Sequence, residues 1–204
     1  FVGIFMLFLL AGLSQTGRLR QYERSAVLLG ASTVRVAIEG SLNEHISLER
    51  GIVAFVASDT GLDSEAYDRY ARALAMDDPI IINLAVLEGT VIKFVYPYDQ
   101  NTNAIGKDLA TVPDQAAAIV RAMTTRDPIV SGPHELVQGG YGVISRMGIF
   151  PIGPSGPEYW GQASVVVDVN EILRRSGVAE HDALSFLLCA GAKGKRYALP
   201  HATI

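Results

Sequence analysis

Cysteine is almost absent: Cys189 is the only one in 204 residues, so no internal disulfide framework can form. A framework's absence does not exclude a periplasmic setting. Charge is also sparse, at 19% of residues with a net charge of −4. No basic stripe runs along the chain, which excludes a nucleic-acid-binding class. The four histidines, His45, His134, His181 and His201, have no metal-ligand spacing. Ser155 lies in Gly-Pro-Ser-Gly-Pro, which fails the nucleophile-elbow pattern at its last position. Gly139–Gly142 follows no βα crossover, and Gly191–Lys195 lacks phosphate-loop spacing. The residues therefore point to no catalytic constellation, no metal and no cofactor.

The first seventeen residues, Phe1 to Gly17, carry no charge at all. Hydrophobic residues make up 49% of the chain, and the excess is concentrated at this end. Residues 1–13 read as the outer part of a transmembrane helix whose start is missing. Residues 14–57 contain no proline and read as a stalk helix, roughly 60 Å long at 1.5 Å per residue. Apolar or small residues recur at Tyr22, Ala26, Leu29, Thr33, Val36 and Gly40. A second track runs through Val27, Val34, Ile38, Leu42 and Ile46. Gly30, Gly40, Ser25, Ser32 and Thr33 would permit close helix approach in a homodimer.

After a break at Ser58–Gly61, Ser64–Met76 reads as a helix with Ser64 as N-cap, ended by Asp77-Asp78-Pro79. Ile80–Leu87 and Val91–Tyr96 read as a hairpin turned at Glu88-Gly89. Asp99–Asn103 is a polar loop, and Pro113 opens a helix to about Thr124. Ile129–Ser131, Glu135–Gln138 and Val143–Phe150 read as three short strands. Gly161–Val167 is a further strand, Val169–Arg175 a short helix and Ala183–Cys189 a strand. The fold class is α+β: a long N-terminal stalk helix, then antiparallel sheets. The expected division is two PAS-like subdomains, a membrane-distal one at 58–150 and a membrane-proximal one at 151–204.

An ordered series of motifs sharpens this. It comprises Ile82-Asn83-Leu84-Ala85, Tyr96-Pro97, Ala104-Ile105-Gly106 with Asp108-Leu109, and Arg121-Ala122. It continues through Ser131-Gly132-Pro133, Leu136–Gly140 and Gly142–Arg146, ending at Phe150. The series resembles the CHASE domain, the sensory domain outside the membrane in receptors with cyclase or histidine-kinase outputs. The likeness covers about residues 60 to 175. The chain departs from the family pattern at Asp99–Asn103, which lacks the usual glycine and glutamate, and at Gly148-Ile149-Phe150.

The resemblance implies an extracytoplasmic ligand-sensing domain in the inner (cell) membrane, with this region in the periplasm or outside the cell. The output would be a diguanylate cyclase, histidine kinase or nucleotide cyclase elsewhere in the protein. A PAS-like sheet holds small molecules between sheet and covering helices, among apolar walls with a few convergent polar groups. Arg146 is the first candidate, because a guanidinium fork grips a carboxylate bidentately. Phe94, Tyr96 and Tyr98 alternate along a strand and offer stacking surfaces. Asp114 and Gln115 open the helix after Pro113, where the family's plant cytokinin receptors place an adenine-binding aspartate. Leu136 and Gln138 complete the candidate wall. The expected partners are a small molecule, anionic if Arg146 grips it, a second copy through the stalk, and the membrane. The rival reading is a protein- or peptide-interaction module whose hollow is filled by its own side chains.

Overall fold

Helical periodicity in the N-terminal third is continuous, and the computed structural model forms a single helix from it. The structure describes residues 2–135, 141–177, 187–190 and 195–198, with side chains at 28–135 and 141–177. Helix α1 runs from Val2 to Ser58, 57 residues and about 85 Å. The second apolar track is the one that packs. Val34 is buried, Ile38 and Leu42 are half-buried, and the line continues through His45, Glu49, Ile52 and Val56 in steps of three and four. Of the first track, Leu29, Thr33, Val36 and Gly40 face solvent, with Leu29 71% and Val36 65% exposed. Among the described residues no helix is long and apolar enough to cross a membrane.

Helix α2, Ser64–Ala75, is capped by Asp63 rather than by Ser64. The Asp63 carboxylate accepts the Ala66 N–H at 2.8 Å, so the cap lies one residue before the expected position. The helix ends at Met76 in the left-handed region. α2 lies close on α1 because Gly51 has no side chain: a Cβ there would meet the Tyr70 hydroxyl at 2.9 Å. Phe55 of α1 and Tyr70 stack beside it, ring centroids 4.0 Å apart.

Strands β1 (Ile81–Glu88) and β2 (Val91–Tyr96) form the expected hairpin, with Gly89 at φ +60° in its turn. Short helix α3 (Tyr98–Asn101) and two 3-10 turns occupy the polar loop and its continuation. Helix α4 (Pro113–Ala122) follows, with proline in its first turn. Strand β3 (Ile129–Glu135) extends the expected strand Ile129–Ser131 to Glu135, the rest of the expected strand Glu135–Gln138 lying outside the described residues, and β4 (Tyr141–Ile149) returns beside it. After the two-residue strands β5 (Ile152–Gly153) and β6 (Gly156–Pro157), β7 (Gly161–Asp168) enters the sheet, and helix α5 (Val169–Arg175) leaves it. β8 (Leu187–Ala190) and β9 (Lys195–Ala198) pair separately.

The five-stranded sheet has the order β2-β1-β7-β4-β3, and every pairing is antiparallel. β7 is the central strand, flanked by β1 and β4, so this sheet runs across the expected boundary at 150/151 as far as Asp168. The physical reason is its sequence: Val165-Val166-Val167 is apolar on both faces, which suits a strand covered on both sides. Within the expected second subdomain, residues 178–186, 191–194 and 199–204 lie outside the described residues.

Alternation along each strand divides the sheet into two faces. Leu84, Val86, Phe94, Tyr96, Val143, Ala163, Val165 and Val167 pack with α1, α2 and α5 in the main core. Ala85, Leu87, Ile92 and Val95 pack with Ile119 of α4 on the other side.

Candidate functional site

The α4 face is apolar over β1 and β2 but polar at the centre of the sheet. In β4 the even-numbered residues point that way, in β7 Gln162 and Ser164. Register sets Arg146 directly opposite Ser164, with Gly148 opposite Gln162. Arg146 is 1% exposed and Gln162 fully buried. α4 closes over them, and Gly148 permits this, since a Cβ there would collide with the Ala122 carbonyl at the helix end.

The guanidinium of Arg146 has only neutral partners in hydrogen-bond contact. Nη2 donates to Gln115 Oε1 on α4, and Nη1 donates to Ser131 Oγ on β3 at 3.3 Å. Its Nε is buried with no partner. Nearby, Gln162 Nε2 donates to the Ile119 carbonyl at 3.2 Å and the Tyr159 hydroxyl at 2.9 Å, leaving Oε1 unpartnered. Burial pulls the Arg146 guanidinium down to about 10, opposed by the Glu49 carboxyl on the other face of the sheet. It therefore remains a cation at neutral pH. A buried cation held by amide and hydroxyl oxygens alone is an incomplete arrangement, and a carboxylate would complete it.

The other expected residues divide between places. Gln115 joins Arg146, whereas Asp114 is exposed at the start of α4. Phe94 and Tyr96 lie on the opposite face of the sheet, beneath α2. Phe94 stacks on Tyr67 at 5.3 Å, and the Arg72 guanidinium lies 5.6 Å from the Tyr96 ring centre. Tyr98 does not share their strand, because β2 ends at Tyr96 and Tyr98 opens α3, half exposed. These three aromatics line a cleft of about 470 Å³ between α2 and β2, together with Arg72 and Lys93. Arg72 pairs with Asp68 and Lys93 with Glu88, so the cleft presents no unpaired charge from these two. Leu136 and Gln138 lie outside the described residues.

Sequence reasoning missed Gln162, Ser164 and Ser131 around Arg146. The signal for the first two was present: in Gly161–Asp168 the polar Gln162 and Ser164 are two apart in an otherwise apolar strand, hence on one face. It also missed Glu49 on α1, fully buried, whose Oε2 accepts the Ser145 hydroxyl at 2.9 Å.

A long helix backing a five-stranded antiparallel sheet in this order, with helices on both faces, is a PAS-like sensory architecture of the kind found in extracellular receptor domains. The CHASE domain family matches residues 53–197, and the chain belongs to that family. No curated protein matches the chain. Among solved structures it is similar to the sensory domain of the Campylobacter jejuni chemoreceptor Tlp3, with 15% identity and a TM-score of 0.59, covering 86% of this chain and 72% of that one. It is similar to the ligand-binding domain of the Pseudomonas aeruginosa amino-acid chemoreceptor PctC, solved with GABA, at 17% identity and TM-score 0.57, covering 88% and 75%. An extracellular ligand binding receptor from Desulfohalobium retbaense matches at 18% identity and TM-score 0.55. That match covers 71% of this chain but spans only 26% of the other.

Proposed function

We propose that this chain is the ligand-sensing region of a transmembrane signalling receptor, and that Arg146 receives the carboxylate of a small molecule between the sheet and α4. The observation that carries this reading is the buried Arg146 guanidinium with Nε unpartnered and only neutral oxygens at its other nitrogens. Gln115 occupies the position a ligand oxygen would take. Binding then requires α4 to yield, so the ligand-free and bound states differ in how α4 sits on the sheet. Support comes also from the PctC domain, whose solved complex holds GABA, a small carboxylate.

Signal passes from the sheet to α1, which packs on β4 and β7 from the opposite side. α1 leads toward the apolar residues 1–13, which anchor the region in the inner membrane with the sensor in the periplasm. The exposed Leu28, Leu29 and Val36 on α1 form the contact for a homodimer. The output is a cyclase or kinase domain on the far side of the membrane. Ligand shifts this equilibrium only by its differential affinity for the two states.

The rival reading, a peptide-interaction module, draws on the aromatic cleft at the sheet edge. A thermal-shift screen with amino acids, dicarboxylates and short peptides separates the two. Stabilisation by a small carboxylate in the wild type and not in Arg146→Ala supports the sensor, because a ligand preferring the native state raises the melting point by mass action. Stabilisation by peptides alone, unchanged in Arg146→Ala and lost in Tyr98→Ala, supports the module.

A further inference from the structure

The face of α1 against the sheet carries two titratable side chains one turn apart, His45 (4% exposed) and Glu49 (0% exposed). Neither belongs to the Arg146 site, and each ties α1 to a different part of the fold. His45 Nδ1 lies 2.6 Å from the Ser41 carbonyl, and Nε2 lies 3.1 Å from Asp78 Oδ2. A carbonyl can only accept, so Nδ1 carries a proton. Asp78 is ionised, since its Oδ1 accepts both the Ile80 N–H at 3.0 Å and Arg175 Nη2 at 2.9 Å. Nε2 points at that carboxylate, so the ring ties α1 to the turn between α2 and β1.

Glu49 carries the pH response. Its carboxyl receives the Ser145 hydroxyl at Oε2, and Oε1 is buried without a partner. The Val165 backbone N–H and the Arg146 charge act on it from β7 and β4, but burial outweighs them and pushes it up to about 8. An ionised carboxylate with one firm hydrogen bond is costly in such a place, and it regains water only if α1 lifts from β4. The other charged group at the Asp78 carboxylate is Arg175 of α5, whose Nη1 lies 3.5 Å from Oδ2 and which also binds Glu171, and the phenols Tyr67 and Tyr70 of α2 belong to the same core.

We propose that His45 and Glu49 form a pH-responsive clasp that holds α1 on the sheet in acidic medium and releases it as the pH rises above neutrality. Glu49 sets the sign, and His45 ties the same helix to Asp78. Glu49 is raised, so its contribution is complete below the ordinary carboxylate range and is lost as pH rises through about 8. α1 is the element that leads out of the domain, so proton release acts where a signal would leave. The clasp does not depend on a ligand at Arg146.

Amide hydrogen exchange on the full chain in detergent, corrected for intrinsic rates, tests it. Protection of peptides covering 41–56 should fall at least tenfold between pH 5.5 and 8.5, while β7 changes less than twofold. In the double variant His45→Gln/Glu49→Gln the fall should shrink to within twofold. An unchanged wild-type protection, or the same tenfold fall in the double variant, overturns the clasp. Should that variant not fold, carbon-13 titration of the wild type decides. A Glu49 carboxyl titrating near neutrality or above, together with α1 amide shifts, upholds the proposal. Titration in the ordinary carboxylate range overturns it.

Discussion

Arg146 is a cation removed from water with no carboxylate among its hydrogen-bond partners. Such a residue stabilises a fold poorly, since isosteric apolar groups often serve better in its place. Arg146→Met should therefore leave the urea midpoint of the ligand-free chain unchanged or raise it, while weakening carboxylate binding by tenfold or more, about 1.4 kcal/mol. A large loss of stability with binding retained would make Arg146 a structural residue. Its candidacy was legible in the sequence, because a lone Arg in an apolar strand is conspicuous. Its neighbours were not. Gln115, Ser131 and the pair Gln162 and Ser164 come from three separate elements, α4, β3 and β7, and only the sheet register brings them to one place. The aromatic residues and Arg146 do not form one site, for a related reason. Phe94 and Tyr96 share a face of β2, but Arg146 is on the other side of the sheet.

At the scale of elements, local chemistry set most boundaries. Pro113, Gly89 and the Asp77-Asp78-Pro79 stop each act through backbone geometry and are readable without tertiary context. The α2 cap was displaced by one residue because Asp63 and Ser64 are both capping types, and only hydrogen-bond geometry chooses between them. Asp63→Ala should cost about 1 kcal/mol in urea unfolding. A change within error would mean that packing alone holds the first turn. Gly51→Val inserts two methyl groups and a Cβ under Tyr70 and should destabilise by roughly 1–3 kcal/mol, the usual range for overpacking. The central place of β7 was the main surprise. Antiparallel neighbours need not be adjacent in sequence, and nothing local in Gly161–Asp168 states which two strands it will separate. Continuous apolar character was the available hint that both its faces are covered.

In the whole molecule, a site on one face of the sheet is joined to a helix on the other. Ser145 and Arg146 are consecutive in β4, one facing Glu49 and one facing α4, so a movement of this strand is felt on both sides. The exposed apolar residues on α1 predict a homodimer: sedimentation in detergent should give a dimer, and Leu29→Glu/Val36→Glu should give a monomer with the same melting point. A wild type that stays monomeric at high concentration would contradict the stalk contact. The central claim is the carboxylate site, and calorimetric titration tests it most directly. The wild type and Arg146→Ala are titrated at pH 7 with single amino acids, GABA and small dicarboxylates. The account predicts that at least one of these probes binds the wild type and binds Arg146→Ala at least tenfold more weakly, with the variant's melting point retained. Equal affinity for both proteins, or no binding by any carboxylate, would contradict it.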